Sequence, residues 1–209
     1  MRRAKKTVLG VAGATVLAIG AVGALHMPFA RPLLMRLGGC PASGISPVAI
    51  DAARRPSIEA ARGPTPAPAR PALGFALDEA TLADVHAWAD RVGASCEDKR
   101  DATLIKCKDG ATEVTFGLSA ATRKVVAVTT LRSQLTGPEG ADRMKKLGTE
   151  LQAKLGAPTT SAGDPNALAS DGYHTATISY AYSDYLASVT ASRLPERGVI
   201  VREEYYSAR

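Results

Sequence analysis

Between Thr7 and Leu25 the chain runs for nineteen residues without a charged side chain or a proline, and the six residues before it, Met-Arg-Arg-Ala-Lys-Lys, form a basic head. A basic head followed by an uncharged apolar run directs the rest of the chain across a membrane. Everything after Leu25 is therefore expected to fold outside the cytoplasm, where disulfides persist. The run is close to the roughly 20 residues that span hydrocarbon and exceeds the roughly 7–15 of a cleavable signal's apolar region, so its length points to a retained transmembrane anchor. Its richness in Ala and Gly, and the small-x-small site Ala21-Val22-Gly23, keep a cleaved signal as the alternative. Arg2, Arg3, Lys5 and Lys6 precede the run and only Arg31 and Arg36 follow it closely, which leaves the N-terminus in the cytoplasm. The resulting expectation is a single pass through an inner membrane, with the C-terminal domain in the periplasm or outside the cell. The Arg2-Arg3 pair lacks the neighbours of a twin-arginine signal and reads as retention charge.

Leu37-Gly38-Gly39-Cys40 resembles the lipobox of bacterial lipoproteins, which makes Cys40 a candidate lipidation site and a lipid anchor the alternative to the span. Arg31, Pro32 and Arg36 separate it from the apolar run, where a lipobox normally follows directly. Otherwise Cys40 is a free or intermolecularly paired thiol.

Charge divides the chain. The formal net charge is +6, from 26 basic and 20 acidic residues. Residues 1–70 hold ten of the basic side chains and only Asp51 and Glu59 among the acidic ones, leaving 16 basic and 18 acidic for residues 71–209. The folded part therefore carries a net −2 and no basic stripe, which argues against a nucleic-acid partner. The chain divides into four segments: a basic head (1–6), the anchor or signal (7–25), a Pro/Ala/Arg-rich linker (26–72) and an exported domain (73–209). Within the linker, Ser46-Pro47 is expected to start a short helix that Pro56 ends. Pro64 to Pro71 reads as a polyproline II spacer.

The domain opens with a well-marked helix. Thr81-Leu82-Ala83-Asp84 is a capping box, Leu82, Val85, Trp88, Ala89 and Val92 gather on one face, and Gly93 closes the run. A second helix begins at Pro138, carries the stripe Met144, Leu147, Leu151 and Leu155, and ends at Gly156 and Pro158. Strand-like segments come after each helix: TLIKCK, TEVTFGL and KVVAVTTLR, then TATISYAY, YLASVTAS and GVIVREEYY. Asp109-Gly110, Ser183-Asp184 and Glu196-Arg197-Gly198 divide them at hairpin distances. The expected fold is α+β, two amphipathic helices packed on an antiparallel sheet in the order helix, three strands, helix, three strands.

That order, with the threonine-capped helix 81–92, is similar to small envelope domains of the outer-membrane assembly lipoprotein type and to the tandem-repeat β-lactamase inhibitor proteins. The resemblance implies a domain that binds other proteins and catalyses nothing. No site residue is carried over from it.

Cys96 and Cys107 flank a segment that can fold back on itself, and in an oxidising compartment they are expected to form a disulfide. Their spacing matches no zinc motif, His26, His86 and His174 are scattered, and no metal or other cofactor is implied. For a hydrolase, Gly117-Leu118-Ser119-Ala120-Ala121 fails the nucleophile-elbow pattern at its last position, so Ser119 reads as a turn serine. His86 and Asp90 have the i,i+4 spacing of a surface pair. Glu203 and Glu204 are adjacent on a strand and point to opposite faces, so they cannot work as an acid and base pair. All six tyrosines lie between Tyr173 and Tyr206; they read first as residues that edge the core or fill strand positions, and if the domain has a partner surface, Tyr180, Tyr182, Tyr205 and Tyr206 are its candidates. A pocket lined by several titratable side chains would favour an enzyme, an exposed tyrosine-bearing sheet a binding module. The reading adopted is a membrane-tethered, non-catalytic protein-binding domain, with a lipoprotein anchored at Cys40 and a small secreted hydrolase as alternatives.

Overall fold

The computed structural model describes residues 47–209. The expected span, the lipobox and Cys40 lie outside them, and no helix among the described residues is long and apolar enough to cross a membrane.

Helix α1, Pro47–Ala61, starts at the expected proline but continues through Pro56, which therefore does not end it. An interior proline removes a hydrogen bond to the carbonyl four residues back. Here that residue, Ala52, is exposed, so water can satisfy its carbonyl.

The sequence from Gly63 to Leu77 is not a free spacer. The Ser183 amide donates to the Thr65 carbonyl at 2.8 Å, and the Ala67 amide to Asp184 Oδ1 at 2.9 Å. The Tyr185 hydroxyl donates to the Pro71 carbonyl. Ala72, Phe75 and Leu77 are buried. Gly63 lies so close to the sheet that a Cβ there would sit 2.1 Å from the Ala181 carbonyl oxygen. The last ten residues of the expected linker thus strap onto the domain, because Pro and Ala can pack while the remaining amides find acceptors.

Helix α2, Leu82–Val92, has the expected capping box: the Asp84 carboxylate accepts the Thr81 amide at 2.7 Å, and Gly93 closes the helix in the left-handed region at φ 71°. Val85 and Ala89 are buried, Leu82 and Trp88 half-buried, and Val92 exposed. Four strands come next instead of three: β1 (Ser95–Lys99), β2 (Leu104–Asp109), β3 (Thr112–Leu118) and β4 (Val125–Leu135). The extra one, β1, is a charged edge strand with one half-buried residue, Cys96, and lacks the alternation that marks the others.

Helix α3, Gly137–Leu155, is capped by a second box in which Thr136 Oγ1 and the Glu139 carboxylate exchange bonds with each other's amides. Met144, Leu147, Leu151 and Leu155 are all buried, as their spacing implies. Gly140 allows close approach to the sheet, since a Cβ there would meet Val199 at 2.4 Å. After it come a three-residue strand β5 (Thr160–Ala162), a 3-10 turn at Pro165–Ala169, and β6 (His174–Ala181), β7 (Tyr185–Leu194) and β8 (Gly198–Ser207).

All eight strands form one antiparallel sheet in the order β1-β2-β3-β4-β8-β7-β6-β5. The chain thus makes a helix and a four-stranded meander twice, and the two meanders join where β4 pairs with β8. The fold is mixed α+β, with four strands after each helix where three were expected. The core lies on the face that carries Ile105, Phe116, Val128, Tyr205, Ala187 and Tyr180 in cross-strand register, and both α2 and α3 pack there.

Candidate functional site

Strand periodicity sends alternate residues to opposite faces, so the two sides of this sheet offer different chemistry. On the helix-covered side, Cys96 and Cys107 are direct cross-strand partners joined by a disulfide, with the Cys107 side chain fully buried. The expected covalent link is present. It closes the β1–β2 hairpin, whose turn residues Arg100, Asp101 and Ala102 all have positive φ, between 53° and 56°.

Glu203, also on this side, is 4 % exposed. Its two oxygens are both engaged: Arg143 donates to Oε1 at 2.8 Å and the Tyr205 hydroxyl to Oε2 at 2.8 Å. Burial, and then the neighbouring carboxylate, raise the Tyr205 hydroxyl above the usual phenol range. Each oxygen of this buried carboxylate thus has a donor within the fold. Glu204 faces the other way, to Arg202, Tyr206 and Ser188. The two glutamates are thus divided between the faces, as their adjacency requires.

The open face carries a polar row beside a mostly apolar one, Leu104, Gly117, Ala127, Tyr206, Leu186 and Ala181. The polar row reads Lys106, Thr115, Thr129, Glu204, Ser188, Ser179 and Thr160 in continuous pairing. A hollow of about 370 Å3 sits where the two meanders meet, lined by Arg54 of α1, Lys106, Glu113, Thr129, Arg202 and Tyr206, among others. Gly117 and Ala127 form its low floor, and above them Lys106 pairs with Glu113 at 3.1 Å and Arg202 with Glu204 at 2.6 Å. Burial, followed by the hydrogen bond to Glu204, raises the Tyr206 hydroxyl.

The four tyrosines named from the sequence do not share one surface. Tyr180 and Tyr205 are in the core, at 2 % and 4 % exposure, because their positions alternate onto the helix-covered face. Tyr182 is half-buried and donates to the Leu155 carbonyl at the end of α3. Tyr206 alone lines the open-face hollow. Of the other two, Tyr185 is fully buried and Tyr173 is exposed.

The residues weighed for catalysis are dispersed. Ser119 Oγ accepts the amides of Ala121 and Thr122, each at 3.3 Å, which makes it the turn serine its sequence suggests. His86 faces Asp98 of β1 at 3.6 Å instead of Asp90. Among the described residues no three His, Cys, Asp or Glu side chains gather as metal ligands.

The Thr136–Glu139 box has a sequence signal, since it repeats the spacing of Thr81–Asp84. Arg143, the partner of Glu203, has none, because the two are 60 residues apart. No protein-family model, curated protein or solved structure matches the chain.

Proposed function

We propose that the protein is a membrane-tethered, envelope-facing domain that binds another protein through the open face of its sheet and carries out no chemistry of its own. The observation that carries this reading is the division of the sheet. Its helix-covered face is spent on the core, whereas the other presents a row of hydroxyl and charged groups around a hollow containing Tyr206. A tyrosine and an arginine where an apolar row adjoins a polar one match the composition of protein interface hot spots. The net charge of −2 over residues 71–209 disfavours nucleic acid as the partner. The disulfide suits an oxidising compartment, which agrees with export behind the Thr7–Leu25 run in a single pass with the N-terminus in the cytoplasm.

The full-length protein, captured with its partners from native membranes, tests the reading. Tyr206→Ala should weaken capture about thirtyfold, the equivalent of about 2 kcal/mol for a hot-spot tyrosine. His86→Ala, at the α2–β1 corner, should leave it intact. Equal capture by both variants, with circular dichroism unchanged, would show that the open face is not the binding surface. Mass spectrometry of the same material separates the modes of attachment: an intact N-terminus supports the anchor, and a diacylated Cys40 would replace it with the lipoprotein alternative.

A further inference from the structure

The open face is not bare along its apolar row. Helix α1 reaches it at two points: Arg54 lines the hollow over Gly117, Ala127 and Tyr206, and Gly63, just past the end of α1, packs against the Ala181 carbonyl. These anchors fix its course. From Arg54 to Gly63 is nine residues, roughly 14 Å at a helical rise. From Ala127 on β4 to Ala181 on β6 is three strand spacings, also roughly 14 Å. The helix therefore runs across the strands along the apolar row, whose small residues Gly117 and Ala127 leave a shallow groove between Leu104 and Tyr206.

The seat is shallow. Among the described side chains of α1, Ile58 is half-buried and every other one is exposed, whereas α2 buries Val85 and Ala89 and α3 buries Met144, Leu147, Leu151 and Leu155. Arg54 has neither an ion pair nor a hydrogen bond among the described residues. Pro56 removes a helical hydrogen bond from the middle of α1. Beneath it Leu104, Tyr206, Leu186 and Ala181 remain only half-buried. The charges beside the row are already matched, Lys106 with Glu113 and Arg202 with Glu204. What the row has left to gain is apolar contact, not charge.

We propose that this row is a helix-docking groove, that α1 is its loosely held resident, and that the partner displaces α1 with an amphipathic helix carrying a continuous apolar stripe. The inference rests on the open-face reading above and names the chemistry of the partner. A helix has the shape that fits. The row crosses six strands, β2, β3, β4, β8, β7 and β6, which is roughly 24 Å or the length of about 16 helical residues, and α1 lies in it with 15. An extended peptide would add to a free strand edge, and this row lies on the face of the sheet.

The test uses the full-length protein in detergent, as the wild type and with residues 47–61 replaced by a Gly/Ser linker of equal length. The probe is a fluorescein-labelled peptide of the α1 sequence carrying Arg54→Leu and Pro56→Ala, which places apolar side chains at positions 50, 54 and 58 on one helical face. Fluorescence anisotropy should show saturable one-to-one binding to the linker variant. Binding to the wild type should be about tenfold weaker, the penalty of a groove occupied about nine-tenths of the time. Leu186→Ser in the linker variant, with circular dichroism unchanged, should weaken the peptide about fivefold or more. Absence of saturable binding to the linker variant would overturn the proposal, as would equal binding to both proteins or binding indifferent to Leu186→Ser. Dimerisation of the linker variant that Leu186→Ser abolishes would make a second copy the occupant and overturn it as well. The Tyr206→Ala capture comparison separates the two readings. Weakened capture with no peptide binding would leave the open face as the partner surface and remove only the helical occupant, whereas normal capture beside full peptide binding would make the row a seat for α1 alone and overturn both.

Discussion

The two meanders repeat one architecture with different chemistry. The first half places its aromatic weight in residues without a hydroxyl: Phe75, Trp88 and Phe116 meet edge to face, with ring centroids 4.8–5.9 Å apart. Its helix is short, and a disulfide fixes its edge hairpin. The second half has no cross-link and relies on a 19-residue helix seated closely against the sheet through Gly140. Its aromatics are tyrosines, and Tyr182, Tyr185 and Tyr205 send their hydroxyls to the α3 end, the strap and Glu203. The long helix packs on β6, β7 and β8, and the short edge strand β5 stays exposed. In the first half β2 is buried at Ile105 and Cys107 while β1 is exposed, and the covalent link ties that edge strand to the core. The open-face hollow spans the seam, drawing Lys106 and Thr129 from one half and Arg202 and Tyr206 from the other, so both means of support hold one surface.

If the aromatic trio is the centre of the first half, Phe116→Ala should be the most damaging single truncation there. Phe116 is fully buried and touches both other rings, and its loss should cost about 3–5 kcal/mol in chemical denaturation. A cost near 1 kcal/mol would mean that the trio only fills space.

In the second half the equivalent change is smaller. Tyr185→Phe keeps the buried ring and removes only the hydroxyl that ties the strap to β7, so about 1 kcal/mol is expected. The loss should appear as faster proteolysis between residues 63 and 72, where Phe116→Ala exposes the β2–β3 region instead.

The smallest effect is in acid. The Ala67 amide, chiefly, holds the Asp184 carboxyl below its ordinary value of 3.8, assisted by Arg70 and Arg209. A group lowered in the folded state contributes stability that is complete above its unfolded value and is lost as pH falls through the folded one. Strap protection should therefore decline below about pH 4. Asp184→Asn, which keeps an acceptor but does not titrate, should flatten that part of the profile. An identical acid profile in the variant would assign the decline to other carboxylates.

The elements legible in the sequence are those with a strong period or a cap. Val114, Phe116 and Leu118 alternate so cleanly that Thr112–Leu118 is bounded correctly, and the Thr81–Asp84 box fixes the start of α2. The edge strands β1 and β5 carry no such mark, because an edge buries little and so shows no alternation. The disulfide is legible because compartment and spacing both bear on it. The tyrosines are legible as a group and misleading as a surface. Residues 180 and 205 fall on the covered face, and only the register of β6 and β8 against the helices decides that. The Arg143–Glu203 pair is hidden for a related reason: α3 and β8 are brought together by the fold, with nothing local to connect the two residues.

That one half is held by a covalent link and the other by its helix is tested most directly by hydrogen–deuterium exchange of the full-length protein before and after reduction. Reduction should raise exchange in residues 95–109, with a smaller rise in α2, and leave β6 to β8 and α3 as protected as before. Uniform loss of protection across both halves, or no change around Cys96 and Cys107, would contradict it.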